Sequence, residues 1–176
     1  MNIVFCAEKS AFLSSQAMIV HILRENFKIV HFQIIKNENG KPFLSFSDSA
    51  ANPLFLSVSH TSQKYFVAFS EQNVGIDAES SSREPNYFPI IAKFPAEERE
   101  EILSAKDFLK HWTAKESAVK WLGGSLAHDL KRLSFYRGKL TFSGLDLPVC
   151  LTQKEFAGHI VSICHERADD WQFIIL

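Results

Sequence analysis

Two acids spaced two residues apart are the first candidates for chemistry in this chain. Asp77 and Glu79 lie in Val74-Gly75-Ile76-Asp77-Ala78-Glu79, which alternates as a strand does. A period of two puts both carboxylates on one face and Val74, Ile76 and Ala78 on the other. Carboxylates this close repel unless a positive group sits between them, and a hard divalent cation with oxygen ligands suits that place. The plain alternative is a solvated strand face with surface ion pairs. Glu116 and Lys120 stand four residues apart, with Trp112 one turn earlier. On a helix all three share a face, and a surface Glu–Lys pair there contributes only about 0.2–0.5 kcal/mol.

Ser57-Val58-Ser59-His60-Thr61 runs from a strand into a loop. A histidine among hydroxyls can hold a phosphate or move a proton. The sequence holds no G-x-S-x-G elbow, no H-E-x-x-H pair and no phosphate-binding G-x-x-x-x-G-K-[ST] loop. The other six histidines are scattered and read as packing or surface groups. Gly40-Lys41-Pro42 is a tight turn carrying one cation.

These groups need strands and helices to hold them. Strands are expected at 2–7, 28–36, 54–59, 65–70 and 74–79, with a hairpin turn at Asn37-Glu38-Asn39-Gly40. The periodicity predicts a helix over 10–26, with Ser10 and Ser14 both available as its cap. Ser45 to Pro53 is small and polar, hence loop, and Ser80 to Pro89 reads as a seam between two halves. Beyond it come a short helix at 96–103 and the strongest helix, 105–122, ended by Gly123-Gly124. Strands follow at 133–136, 139–142, 149–153, 159–165 and 171–176. The expected class is α+β: two similar subdomains, 1–79 and 80–176, each with a helix packed on a small antiparallel sheet.

A chain of 176 residues, 46% of them apolar, can bury a sizeable core. Nineteen Lys and Arg against twenty Asp and Glu leave a net charge of -1, which argues against a domain-wide grip on nucleic acid. Three distant cysteines and no C-x-x-C suit a reducing compartment better than a disulfide framework or a cysteine-rich zinc site. The N-terminus lacks the basic start of a signal peptide, and no run approaches the roughly 18 apolar residues of a membrane span. A soluble, cytoplasmic protein is expected, with no membrane partner.

Five strings in order resemble the 4'-phosphopantetheinyl transferase superfamily: Gly40-Lys41-Pro42; Leu56-Ser57-Val58-Ser59-His60-Thr61; Val74-Gly75-Ile76-Asp77-Ala78-Glu79; Phe94-Pro95-Ala96-Glu97-Glu98; and Trp112-Thr113-Ala114-Lys115-Glu116-Ser117-Ala118-Val119-Lys120. The family pattern is G-K-P, S-H-S, G-I-D-I-E, F-x-x-x-E and W-x-x-K-E-[AS]-x-x-K. The resemblance covers about residues 40–126, and the length suits the two-domain, Sfp-like branch better than the short trimeric one. It departs at Ser125, where the family has a second glycine, and it matches none of Lys9, Arg24, Lys28 and Lys36 to a coenzyme contact.

The resemblance implies transfer of the phosphopantetheine arm of coenzyme A to a serine of an apo acyl or peptidyl carrier protein, with release of 3',5'-ADP. It implies Mg²⁺ on Asp77, Glu79 and Glu116. Glu116 and Lys120 take the catalytic roles, and Lys41, Ser59, His60 and Lys120 contact the coenzyme. A monomer with its site in the cleft between the halves follows from a chain long enough to complete its own site. A degenerate coenzyme- or carrier-binding module is the first rival, and a metal-dependent phosphohydrolase or nuclease the second.

Overall fold

A computed structural model describes residues 1–46, 53–167 and 169–176. The chain enters as strand β1 (Asn2–Glu8), a single 3-10 turn (Lys9–Ala11) and helix α1 (Ser15–Glu25). Next come β2 (Phe32–Lys36), β3 (Pro42–Phe46), β4 (Phe55–His60), β5 (Lys64–Ser70) and β6 (Val74–Ser80). The helices α2 (Phe88–Ile91), α3 (Ala96–Glu100), α4 (Ala105–Leu122) and α5 (Leu126–Asp129) follow. Six strands end the chain: β7 (Leu133–Tyr136), β8 (Lys139–Phe142), β9 (Leu145–Asp146), β10 (Cys150–Phe156), β11 (His159–His165) and β12 (Gln172–Ile175).

The class is α+β, as expected, with helices on small sheets. One sheet has the order β12-β1-β5-β4 and another β10-β11-β6, while β2-β3 and β7-β8-β9 form smaller sheets. Among the described residues every pair is antiparallel except β1 with β12, which is parallel and departs from the expected antiparallel scheme. Strands distant in sequence are exchanged between the two sheets. β6 pairs with β11, setting Asp77 opposite Ser162, and β12 pairs with β1.

The two larger sheets pack face to face. Val4, Cys6, Phe66 and Ala68 of one meet Val74, Ile76, Val161 and Ile163 of the other. The outer face of the first sheet buries Phe5, Val67 and Phe69 under Met18, Ile19, Ile22 and Leu23 of α1. The outer face of the second lies under α4, where Cys164 meets Ala114 and Ala118. Covered on both faces, β1 carries four consecutive buried residues, Val4 to Ala7, in place of an alternation.

The strands β4 and β6 run side by side with hydroxyls between them. Ser57 Oγ accepts from the Ile76 amide at 3.1 Å and Ser59 Oγ from the Ala78 amide at 3.1 Å. Two buried N–H groups that a backbone ladder would have satisfied are thus paired by side chains.

Helix α4 spans the residues that the sequence predicts, capped by Ser104 Oγ on the Asp107 amide at 3.1 Å and ended by Gly123 at φ 68°. Helix α1 is shorter than expected. Ser14 is its cap, accepting from the Ala17 amide, and Ser10 belongs to the 3-10 turn. The strand expected from residue 28 begins at Phe32, because Lys28 takes φ 58° and Ile29 N–H closes on Leu23 O at 2.8 Å. Of the loop expected at 45–53, Ser45 and Phe46 end β3, and residues 47–52 lie outside the described residues. The short α2, α5 and β9 are too brief to show a period. Among the described residues no helix is long and apolar enough to cross a membrane.

Candidate active site

Gly75, Asp77 and Glu79 face α4 from β6, while Val74, Ile76 and Ala78 enter the core between the sheets, as the period of two predicts. Gly75 lets the helix come close. A Cβ there would fall 2.5 Å from the Trp121 amide nitrogen and closer still to the Ser117 carbonyl. Packed this tightly, α4 lays its charged face across Asp77. Lys120 Nζ donates to Asp77 Oδ1 at 2.7 Å. The same oxygen accepts from Ser59 Oγ at 2.8 Å, and Asp77 is buried.

The floor beside this pair is polar and satisfied. Ser162 bonds Thr113 Oγ1 at 2.7 Å and accepts from Gln153 Nε2 at 2.9 Å. Glu79 pairs with Arg83 at the mouth. Burial pushes the Glu116 carboxyl up to about 8; Asp77 and Glu79 push the same way, against Lys120 and a Trp112 hydrogen bond. Three acids therefore crowd one place with too little positive charge.

A second cluster fixes α4 from its other side. Lys115 Nζ meets Glu98 Oε2 at 2.9 Å with both side chains fully buried, and His111 Nδ1 lies 3.3 Å from Glu98 Oε1. The ammonium stands 3.6 Å over the Phe94 ring. Burial lowers the Lys115 pKa, and Glu98 opposes that. The phenylalanine and glutamate of one string and the lysine of another thus form one buried unit. The sequence displayed both strings without showing that they meet. Breaking such a pair costs about 3–5 kcal/mol, since it strands a buried charge.

His60 sits exposed at the end of β4, where two depressions adjoin. One is bordered by Thr61, Glu79, Ser80 and Arg83. The other runs between the start of α1 (Ser14, Ser15) and the β2–β3 hairpin (Lys36, Gly40, Pro42). Their volumes, about 570 and 360 Å³, suit a cofactor-sized ligand. Two residues that the resemblance assigned to coenzyme A have their side chains elsewhere. The Ser59 hydroxyl is spent on Asp77 and the Ala78 amide. Lys41 Nζ turns to Asn73 Oδ1 at 2.7 Å and Trp121 O at 3.4 Å, and burial lowers its pKa to about 8. The structure thus brings Asp77, Glu79, Glu116, Lys120 and Ser59 together, leaves His60 at the groove and sets Lys41 apart. Lys36, with no role from the sequence, borders the groove.

The donor set fits a magnesium ion in kind. Asp77, Glu79 and Glu116 offer hard oxygens, and their mutual repulsion is what a divalent cation relieves. Among the described residues no three Asp, Glu, His or Cys side chains are gathered as a finished metal set. Asp77 and Glu79 hold Lys120 and Arg83 instead. The crowding has a measurable consequence in chelator. Folded Glu116 binds its proton more tightly than the unfolded chain does, so its stabilisation is full below about pH 4.5 and is lost as pH rises through about 8. Thermal melts from about pH 5 to about pH 9 should show this decline, and Glu116→Gln should flatten it. Parallel profiles for the two proteins would contradict the crowding.

A sequence profile described as the 4'-phosphopantetheinyl transferase superfamily matches residues 73–171, more than half of the chain. The chain belongs to that superfamily. Among curated proteins it is similar to the L-aminoadipate-semialdehyde dehydrogenase-phosphopantetheinyl transferase of Homo sapiens, with 32% identity over 187 residues, covering 97% of this chain and 58% of the relative. The protein of the same name from Mus musculus is 31% identical over 149 residues, 75% of this chain and 48% of its own length. That of Xenopus laevis is 26% identical over 151 residues, 76% of this chain and 50% of its own. The chain therefore spans only about half the length of these relatives.

Proposed function

We propose that this protein is a phosphopantetheinyl transferase that moves the 4'-phosphopantetheine arm of coenzyme A to a serine of an apo acyl or peptidyl carrier protein, with Mg²⁺, releasing 3',5'-ADP. The observation that carries this reading is the meeting of β6 and α4: Asp77 and Lys120 lie 2.7 Å apart with Glu116 and Glu79 beside them, next to the groove at His60. In the reaction the serine oxygen attacks the β-phosphorus, and the bond from that phosphorus to the bridging oxygen breaks. The serine proton goes to Glu116 in its ionised form, directly or through water. Lys120 faces the phosphate on which charge builds. His60 and Lys36 line the groove for the phosphates and nucleotide of the coenzyme. Mg²⁺ on Asp77, Glu79 and Glu116 would supply charge neutralisation at the pyrophosphate.

The two halves, 1–79 and 80–176, frame this cleft, and a chain that supplies all these groups acts as a monomer in the cytoplasm. The chemistry is the same for fatty-acid, polyketide and nonribosomal-peptide carriers. Incubation with coenzyme A, Mg²⁺ and an apo carrier, followed by intact mass measurement, tests the reading. A gain of the pantetheine arm supports it. Binding without transfer indicates a degenerate module, and coenzyme cleavage without transfer indicates a hydrolase.

The seam after β6 offers a place for the carrier. Tyr87 stacks on Phe108 with centroids 5.1 Å apart, so it covers core. Phe88 is 68% exposed. The two should separate: Phe88→Ala raises the carrier KM by about tenfold, the worth of a modest aromatic anchor, and spares the coenzyme KM and the melting temperature. Tyr87→Ala lowers the melting temperature. An unchanged carrier KM in Phe88→Ala would remove this surface from consideration.

A further inference from the structure

The last carbonyls of an α-helix lack partners within it, and a helix end that is covered must find them elsewhere. In α4 two are met locally. Gly124 N–H donates to Val119 O at 3.0 Å and Gly123 N–H to Lys120 O at 3.2 Å. The donors to the next ones come from the other half of the chain. Trp121 O accepts from Asn73 Nδ2 at 2.8 Å and from Lys41 Nζ at 3.4 Å. Gly123 O accepts from Asn39 Nδ2 at 2.8 Å and from Asn37 Nδ2 at 3.3 Å. Lys41 and Asn73 are tied to each other at 2.7 Å.

The β2–β3 turn is shaped for this. Asn37 Oδ1 accepts from the amides of Asn39 at 3.0 Å and Lys41 at 2.8 Å, while Gly40 takes φ 82°. One asparagine thus folds the turn with its oxygen and reaches α4 with its nitrogen. The Lys41 ammonium lies at the negative end of the helix dipole. No ion pair holds it among the described residues. Its partners are an amide oxygen and a backbone carbonyl, half buried and turned away from the groove.

We propose that Asn37, Asn39, Lys41 and Asn73 form a clamp by which the first half of the chain fixes the C-terminal end of α4, so that Lys41 is a positioning residue for Glu116 and Lys120 and its ammonium is not a coenzyme ligand. The inference rests on the transferase reading for its effect on rate, but not for the clamp itself. The pinned carbonyl of Trp121 adjoins Lys120, and Glu116 is one turn back. A shift of about 1 Å at a catalytic group can cost up to 10²-fold in rate.

Lys41→Met, Asn73→Ala, Asn39→Ala and the Lys41→Met/Asn73→Ala double variant test this in the full chain. The readings are hydrogen exchange at the Trp121–Gly123 amides, coenzyme A affinity by calorimetry, and transfer kinetics. The clamp predicts exchange at least about tenfold faster in Lys41→Met and in Asn73→Ala. The turnover number falls in both, coenzyme A affinity stays within about twofold, and the double variant is little worse than Lys41→Met, since the two side chains share one network. Asn39→Ala, an exposed change that leaves Lys41 in place, loosens the helix end as well. Lys41→Arg restores most of the turnover, because a guanidinium can still donate to the carbonyl. If Lys41→Met instead weakens coenzyme A binding about tenfold with exchange unchanged, Lys41 is a coenzyme ligand and the clamp is wrong. Exchange unaltered in Asn73→Ala overturns it too. Should no carrier be modified at all, the transferase reading fails, and exchange at the end of α4 still decides the clamp.

Discussion

Glu116→Gln should lower turnover by about 10²–10³, equal to about 2.7–4 kcal/mol of barrier, the usual cost of one well-placed electrostatic group. The melting temperature near pH 7 should not fall, and should rise, since the amide escapes the cost of holding a proton that the unfolded chain has already released. Burial and two neighbouring acids push this carboxyl up to about 8 in the metal-free protein, so a neutral amide of the same shape resembles the protonated acid already there. Lys120→Ala should lose a similar factor in rate, and its ion pair with Asp77 leaves that acid still bonded to Ser59. The double variant should lose less than the product of the single losses, because both groups serve one transition state. Turnover above about half of normal in Glu116→Gln would sink the assignment of this helix face to catalysis.

Gly75→Ala should be the most damaging single methyl in the chain. The added Cβ would meet the Ser117 carbonyl and the Trp121 amide nitrogen, both backbone atoms of α4 that cannot swing aside. Either β6 bends or α4 lifts, at a cost of about 3 kcal/mol, toward the upper end for overpacking. For a chain of this size that lowers the melting temperature by roughly 6–12 °C. Lifting the helix also stretches the contact between Lys120 and Asp77, so transfer should fall by more than the loss of folded protein explains. A variant that melts and reacts like the parent would show that α4 does not rest on this glycine.

A period of two was enough to place Asp77 and Glu79 on one face of β6, and a spacing of four was enough to set Glu116 and Lys120 on one face of α4. Ser59 could have been sorted the same way. In Ser57-Val58-Ser59-His60 the serines share one face and turn to β6, while Val58 and His60 share the other and border the groove. Lys41 gave no such signal, because its partners Asn73 and Trp121 are brought to it only by the tertiary fold. The same holds for the parallel pairing of β12 with β1 and for Glu98 with Lys115. Local pattern fixes which way a side chain leaves its element. It does not say which distant element lies there.

The exchanged strands also set an order of assembly. In synthesis the acidic strand β6 precedes β11, its ladder partner, by about 80 residues, and β1 precedes β12 by about 170. Val74, Ile76 and Val4 therefore wait, uncovered on the side that Val161 and Ile163 will close. The core between the two sheets needs strands from both ends of the sequence, whereas the clusters under α4 draw on residues 87–164 alone. Loop closure over such separations is slow. Strands far apart in sequence thus close this core together, and a fold that relies on such distant pairings has a high contact order.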